Sequence, residues 1–227
     1  MSFLNNWYNK EPKKEIFKDS PPLQGMSLFF SVLWREFLEL CKLNLIIIIF
    51  CLPIVTIPAT LTAVAKVLVL MFMDQPTYTF GDFWLTFKKE GIRATLVGLG
   101  YFMLLAISIF TMYFYYQIAG NFVLYTIAML VGAIILIMGF YLFPLLSVVE
   151  LNIKGVIKNA FLLTLLRMPK NILALLSIVL LTAVVILFLP PTLITMLLLY
   201  FVLLNYITVF CAYEGLRKYI IIDEKTE

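Results

Sequence analysis

The chain contains no histidine, and its three cysteines, Cys41, Cys51 and Cys211, each stand alone in an apolar stretch without CxxC spacing. Zinc, haem and Ser-His-Asp chemistry thereby lose their usual ligands or base, and no catalytic, cofactor or metal residue is assigned. Each cysteine reads instead as a small apolar side chain against lipid or a neighbouring helix. Charge is scarce as well: 13% of the 227 residues are charged and 63% are apolar, with a mean hydropathy of +1.03. A soluble domain carries about 25% charge, so a soluble fold is excluded. There is no glycine-rich phosphate loop and no carboxylate pair within an apolar run, which leaves an enzyme or a proton-coupled pump with almost nothing to stand on. The net charge of +4 does not imply nucleic acid, because the basic residues flank hydrophobic runs and fit anionic phospholipid better.

What is present is a series of long apolar runs. Residues 43–73, LNLIIIIFCLPIVTIPATLTAVAKVLVLMFM, hold one charge, Lys66, and two prolines, Pro53 and Pro58. As one helix this run would be about 46 Å long against a hydrocarbon core of roughly 30 Å. Further apolar runs cover 94–116, 122–149, 171–189 and 192–213, each near or above the ~20 residues a crossing needs. Cytoplasmic flanks are rich in lysine and arginine. If residues 43–73 cross twice, with an outer turn between Pro53 and Pro58, all of the 17 basic residues except Lys66 fall inside, including Lys88, Lys89, Arg93, Lys154 and Lys158. A single crossing would put both long basic loops outside. The expectation is an all-α, polytopic transmembrane helical bundle with six spans, plus short interfacial amphipathic helices. Residues 1–26 form a cytoplasmic N-terminal segment, 27–215 the membrane domain and 216–227 a cytoplasmic tail. Residues 1–26 have no apolar core of a secretory signal, so the first span is expected to act as its own insertion signal. It starts in LFFSVLWREFLELCK (28–42), where Arg35 and Glu39 are spaced to pair.

Two inner loops share a plan. In one, Phe80, Phe83, Trp84 and Phe87 recur at helical spacing opposite Asp82, Lys88 and Lys89; in the other, Ile153, Val156, Ile157, Ala160 and Phe161 do so opposite Lys154, Lys158 and Asn159. Both read as short helices lying in the inner interface. Each leads through a basic corner into an uncharged span, a hairpin unit used twice in one orientation, and a true duplication would imply a pseudo-twofold axis along the membrane normal.

Lys66 is the sharpest candidate for chemistry, since an ammonium near a helix centre costs about 2.5–3.5 kcal/mol on insertion scales. Its candidate partners are Glu150, Glu39 and Glu36; the alternative is that it snorkels to the inner interface. Pro53, Pro58, Pro190 and Pro191 read as outer turns rather than as broken transport helices, while Pro144 sits within a span and should kink it. The aromatic run TMYFYYQ (111–117) could stack a sugar, and an interfacial aromatic belt explains it equally. Ala59 with Ala63, and Ala128 with Gly132, would let helices approach closely within one chain or in a homo-oligomer.

Three stretches carry a resemblance: NLIIIIFCLPIVTIPATLTAV (44–64), FGDFWLTFKKE (80–90) and FPLLSVVELNIKGVIKNAFLLTLLRMPKN (143–171). They resemble the YesL-like family of bacterial integral membrane proteins, a family defined as a domain of unknown function. WYNKE (7–11) with WREFLELCKLNLI (34–46) is similar to its Gram-positive members. The resemblance implies a bacterial cell-membrane location and, because such proteins are often encoded beside carbohydrate-uptake ABC transporters, an accessory role; it carries no catalytic residues. The expected function is non-enzymatic, with Phe83, Trp84, Phe87, Ile157 and Phe161 docking a transporter permease or lying against membrane lipid. The alternatives are a small transporter or channel lined by Lys66, and a scaffold that organises lipid or a homodimer. The polar residues within spans, chiefly Lys66, Thr60, Thr62, Ser108, Ser177, Thr182 and Asn205, are what discriminates them.

Overall fold

The computed structural model describes residues 25–188 and 196–217; the segment expected to be cytoplasmic at the N-terminus, the turn expected at Pro190 and Pro191 and most of the expected C-terminal tail lie outside the described residues. Among the described residues the chain is an all-α bundle without strands. Its helices are α1 (Met26–Arg35), α2 (Phe37–Cys51), α3 (Ile57–Phe72), α4 (Thr79–Tyr113), α5 (Phe122–Val148), α6 (Ile153–Leu166), α7 (Met168–Leu187) and α8 (Phe201–Leu216).

Among the described residues, five helical segments are long and apolar enough to cross a membrane: Ile54–Phe72, Thr79–Ile118, Phe122–Val148, Met168–Leu187 and Leu198–Leu216. The expected first span is not among them, because the helix breaks at Glu36 (φ −101°, ψ 18°) into α1 and α2. At 15 residues α2 is about 22 Å long, short of a full crossing. The break also undoes the expected Arg35 and Glu39 pair: Arg35 bonds Glu36 and Asp74, each at 3.0 Å, and Glu39 takes Lys42 at 2.6 Å.

The chain reverses between α2 and α3 as the prolines demand. Pro53 is extended, and Pro58 stands in the first turn of α3, where its missing N–H is no loss. Thr56 Oγ1 donates to the Phe50 and Pro53 carbonyls at 2.6 and 2.7 Å, satisfying acceptors that the end of α2 leaves over. The return from α3 to α4 turns on Asp74 at φ +54°, a left-handed conformation that short acidic side chains tolerate better than most.

The amphipathic segment expected to lie alone in the interface is instead the first part of α4, which runs unbroken for 35 residues, about 52 Å. No proline interrupts it, and a helical glycine such as Gly91 costs only about 1 kcal/mol. Residues 79–98 of this helix pack antiparallel along α3: an added Cβ on Gly98 would lie 2.2 Å from Pro58 Cβ, and one on Gly91 would touch Ala59. Thr56 and Lys88 line one groove. The turn between Pro53 and Pro58 therefore neighbours the basic corner at Lys88, Lys89 and Arg93. This corrects the expected sidedness, since a 30 Å hydrocarbon layer cannot separate groups in contact.

The second amphipathic segment does form its own helix, α6. Pro169, in the first turn of α7, follows a break at Arg167 (φ −116°, ψ 27°), as expected where a proline cannot continue the preceding ladder. The two hairpin units are thus built differently, one with a continuous helix and one with two. α5 runs through Pro144 to Val148.

Two apolar cores result. One surrounds α3, with Val64, Leu68 and Met71 against Leu40, Leu43, Val202 and Tyr206; the other gathers Tyr141, Leu145, Val156, Ala160, Ala212 and Leu216. The apolar window of Ile54–Phe72 is 61% buried, that of Phe122–Val148 only 11%. α3 is the central post, and the outward faces of α5 and α7 need an apolar solvent, which identifies a membrane protein.

Candidate functional site

The three carboxylates expected to serve Lys66 do not. Glu150 is exposed and bonds Lys89 at 2.9 Å, whose ammonium holds its carboxyl below the usual carboxylate range. Glu39 bonds Lys42 and accepts a hydrogen bond from Thr79 Oγ1 at 2.6 Å. Glu36 pairs with Arg35. Asp82, across the α3–α4 seam, feels the charge of Lys66 without forming an ion pair with it. Asp82 also accepts from the Tyr78 N–H at 2.7 Å, closing the first turn of α4. The expected set of Lys66, Glu150 and Glu39 is therefore dispersed, and Lys66 instead stands half-buried across the seam from a half-buried Asp82. The signal for it lay in the four-residue spacing of Tyr78 and Asp82, which starts a helix at Thr79 and so runs Asp82 alongside α3.

Five of the polar residues expected to discriminate the readings bond within their own helices. Thr60, Thr62, Ser177, Thr182 and Asn205 each donate to the carbonyl four residues earlier on their own helix, at 2.8–2.9 Å. That bond consumes a donor locally, although Thr182 also meets Tyr200 Oη at 3.1 Å. Among the described residues no buried side-chain nitrogen or oxygen lacks a partner, and no three potential metal ligands cluster.

The expected docking residues divide. Phe83 is fully buried and sets its ring 4.9 Å from Phe50, so it belongs to the core and is withdrawn from the docking set. Phe87 is half-buried and also meets Phe50, at 5.2 Å. Trp84, Ile157 and Phe161 are exposed. Trp84 is flanked by two shallow hollows. One is lined by Thr56, Ala59, Phe87, Gly91, Thr95 and Leu96, the other by Gly81, Leu85 and Lys89; Lys88 borders both. The Lys88 ammonium sits 4.8 Å from the indole centroid.

Sequence reasoning missed one buried polar node, which joins α5, α6, α7 and α8. Asn171 is fully buried; it accepts from Tyr141 Oη at 2.5 Å and from Cys211 Sγ at 3.3 Å, and donates to the Thr164 carbonyl at 2.9 Å. Arg167 donates to the Cys211 carbonyl at 2.6 Å and to Glu214 at 2.7 Å, and Lys170 reaches the same carboxylate oxygen at 2.5 Å. Gly215 permits this approach, since its added Cβ would stand 3.0 Å from Arg167 Nη1 and 3.3 Å from Tyr141 Cε1. Every group has a partner, so the node is a structural clasp on the α6–α7 elbow. The available signal was Glu214 directly after the last apolar run with Arg167 and Lys170 just before the preceding one, but pairing α7 with α8 needs the tertiary structure.

Residues 40–112 match the model of a family described as "Protein of unknown function, DUF624". No curated protein and no solved structure matches the chain. The matched stretch contains the proline turn, Lys66, Asp82, Trp84 and Lys88; the node lies outside it.

Proposed function

We propose that this is a non-enzymatic protein of the bacterial cell membrane that serves as an accessory or regulatory subunit of a carbohydrate-uptake ABC transporter. The observation that carries the reading is the intrahelical bonding of Thr60, Thr62, Ser177, Thr182 and Asn205, which ties these side chains to their own helices rather than to a transported sugar. The resemblance to the YesL-like family supplies the transporter as partner, and the match to a family of unknown function over residues 40–112 agrees with it at the coarser level. The docking face is α6, where Ile157 and Phe161 are exposed beside Lys154 and Lys158. Both termini face the cytoplasm. Withdrawing the α2–α3 hairpin from full crossing removes two crossings together, so the parity set by the basic flanks is kept.

The test is affinity capture of the tagged chain from native membrane of cells grown on polysaccharide. An ABC permease should be identified by mass spectrometry, and Ile157→Ser with Phe161→Ser should reduce its recovery severalfold while insertion stays normal. A second reading, a small transporter, draws on Lys66 and Asp82 across the seam. Absence of any transporter component, together with sugar flux through the purified chain in liposomes, would establish that reading instead.

A further inference from the structure

The surface around Trp84 has a property that the accessory role does not explain. Three cations stand close together on α4, and two are neutralised: Lys89 by Glu150 at 2.9 Å, and Arg93 by Glu90 at 3.3 Å with a second bond to the Leu151 carbonyl. Lys88 has no acidic partner among the described residues and rests on the Trp84 ring. It borders the smaller of the two hollows, about 380 Å³, which lies within the roughly 300–1,000 Å³ range of ligand sites and, unlike the other, is lined along α3 as well as α4. The walls of that hollow are apolar over Ala59, Phe87, Gly91 and Leu96, and it leads from Lys88 towards the uncharged part of α4. Within its lining Ala59 and Gly91 approach closely: a Cβ added at Gly91 would stand 3.9 Å from Ala59 Cβ.

We infer that this hollow binds one glycerophospholipid with an anionic headgroup, its phosphate on Lys88 and an acyl chain laid along Ala59, Gly91 and Leu96. Among the described residues, a cation without an acidic partner at the edge of an apolar trough is complementary to an amphiphile with one charged end. The charge sequence along α4 gives the direction: its basic turn precedes residues 94–116, so the headgroup lies at Lys88 and the chain runs towards Leu96. Trp84 contributes an aromatic edge at the level where indoles favour the membrane interface. This site does not depend on the transporter-accessory reading, and its test involves no transporter.

Trp84 is itself the reporter, because the other tryptophans of the chain, Trp7 and Trp34, can be replaced by Phe. The full-length chain carrying those replacements is placed in phosphatidylcholine nanodiscs with increasing mole fractions of brominated phosphatidylglycerol or brominated phosphatidylcholine, and Trp84 quenching is followed. Brominated phosphatidylglycerol should half-saturate at a mole fraction about fivefold lower than brominated phosphatidylcholine. Lys88→Gln should abolish that preference, a fivefold change that corresponds to about 1 kcal/mol, and Lys88→Arg should keep it. Lys89→Gln should leave it unchanged, since Glu150 already occupies that charge. Gly91→Leu, with its helical signal and melting temperature checked, should remove saturable quenching by both lipids. Equal quenching by the two lipids with no effect of Lys88→Gln would overturn the inference in favour of ordinary surrounding lipid. Protection of Trp84 from both lipids by a co-purifying polypeptide, relieved by Gly91→Leu, would overturn it in favour of a protein occupant.

Discussion

Asn171→Ala tests whether the buried node clasps the α6–α7 elbow. The substitution removes three interactions: acceptance from Tyr141 Oη and Cys211 Sγ, and donation to the Thr164 carbonyl. Thr164 is near the end of α6, so its carbonyl is among those without an intrahelical partner, and the Asn171 amide caps it. Stranding the fully buried Tyr141 hydroxyl costs about 1–3 kcal/mol. Interhelical bonds in membrane proteins average nearer 0.6 kcal/mol, because the reference state in lipid finds other partners. Taking the low end for Tyr141 and about 0.6 kcal/mol for the Thr164 cap, and leaving the weak sulfur contact out, the loss is about 2 kcal/mol. For a chain of this length that is roughly 4–8 °C in melting temperature. Tyr141→Phe removes the hydroxyl without a cavity and should cost about 1 kcal/mol. In the double variant the two losses should fall short of additivity by about 1 kcal/mol, since each removes the same bond. The assay is thermal unfolding in a mild detergent, followed by helical signal and intrinsic fluorescence. An Asn171→Ala loss below 0.5 kcal/mol, or full additivity with Tyr141→Phe, would refute the reasoning.

Lys66→Met should lower the melting temperature only slightly, by an amount worth about 0.5 kcal/mol, because it removes a charge that Asp82 feels across the α3–α4 seam without a direct ion pair; Lys66→Met with Asp82→Asn should recover it, and a neutral single variant would show that Lys66 only snorkels. Gly98→Ala should cost about 1–3 kcal/mol by forcing α3 off α4 at Pro58, whereas Gly139→Ala, whose Cβ meets the movable hydroxyl end of Tyr101, should cost less; the order of the two melting temperatures is the check. For sidedness, single cysteines at Gly120, Val55 and Lys158 are probed in intact cells with an impermeant thiol reagent. Gly120 should label and Lys158 should not; Val55, beside the basic corner, should behave like Lys158, and its labelling from outside would restore the double crossing.

The membrane character, the all-α class and the positions of most helices were legible in residue order, because both follow from quantities that add along the chain: apolar run length and the placing of proline and charge. The α6 helix and its break before Pro169 belong to this group, as does the reversal at Pro53 and Pro58. The depth of that reversal was not legible. The count of basic residues treats each run as an independent upright span, and it could not register that Gly98 lets Pro58 sit against the middle of α4. Burial of Phe83, which helical periodicity had placed on an open face with Trp84 and Phe87, was likewise decided by a distant ring, Phe50. The same holds for Asn171, Arg167 and Glu214, which the sequence separates by more than 40 residues in the case of Arg167 and Glu214. Periodicity states which residues share a face; only packing states what that face meets, because the choice among apolar neighbours rests on shape and on which buried polar atoms find partners.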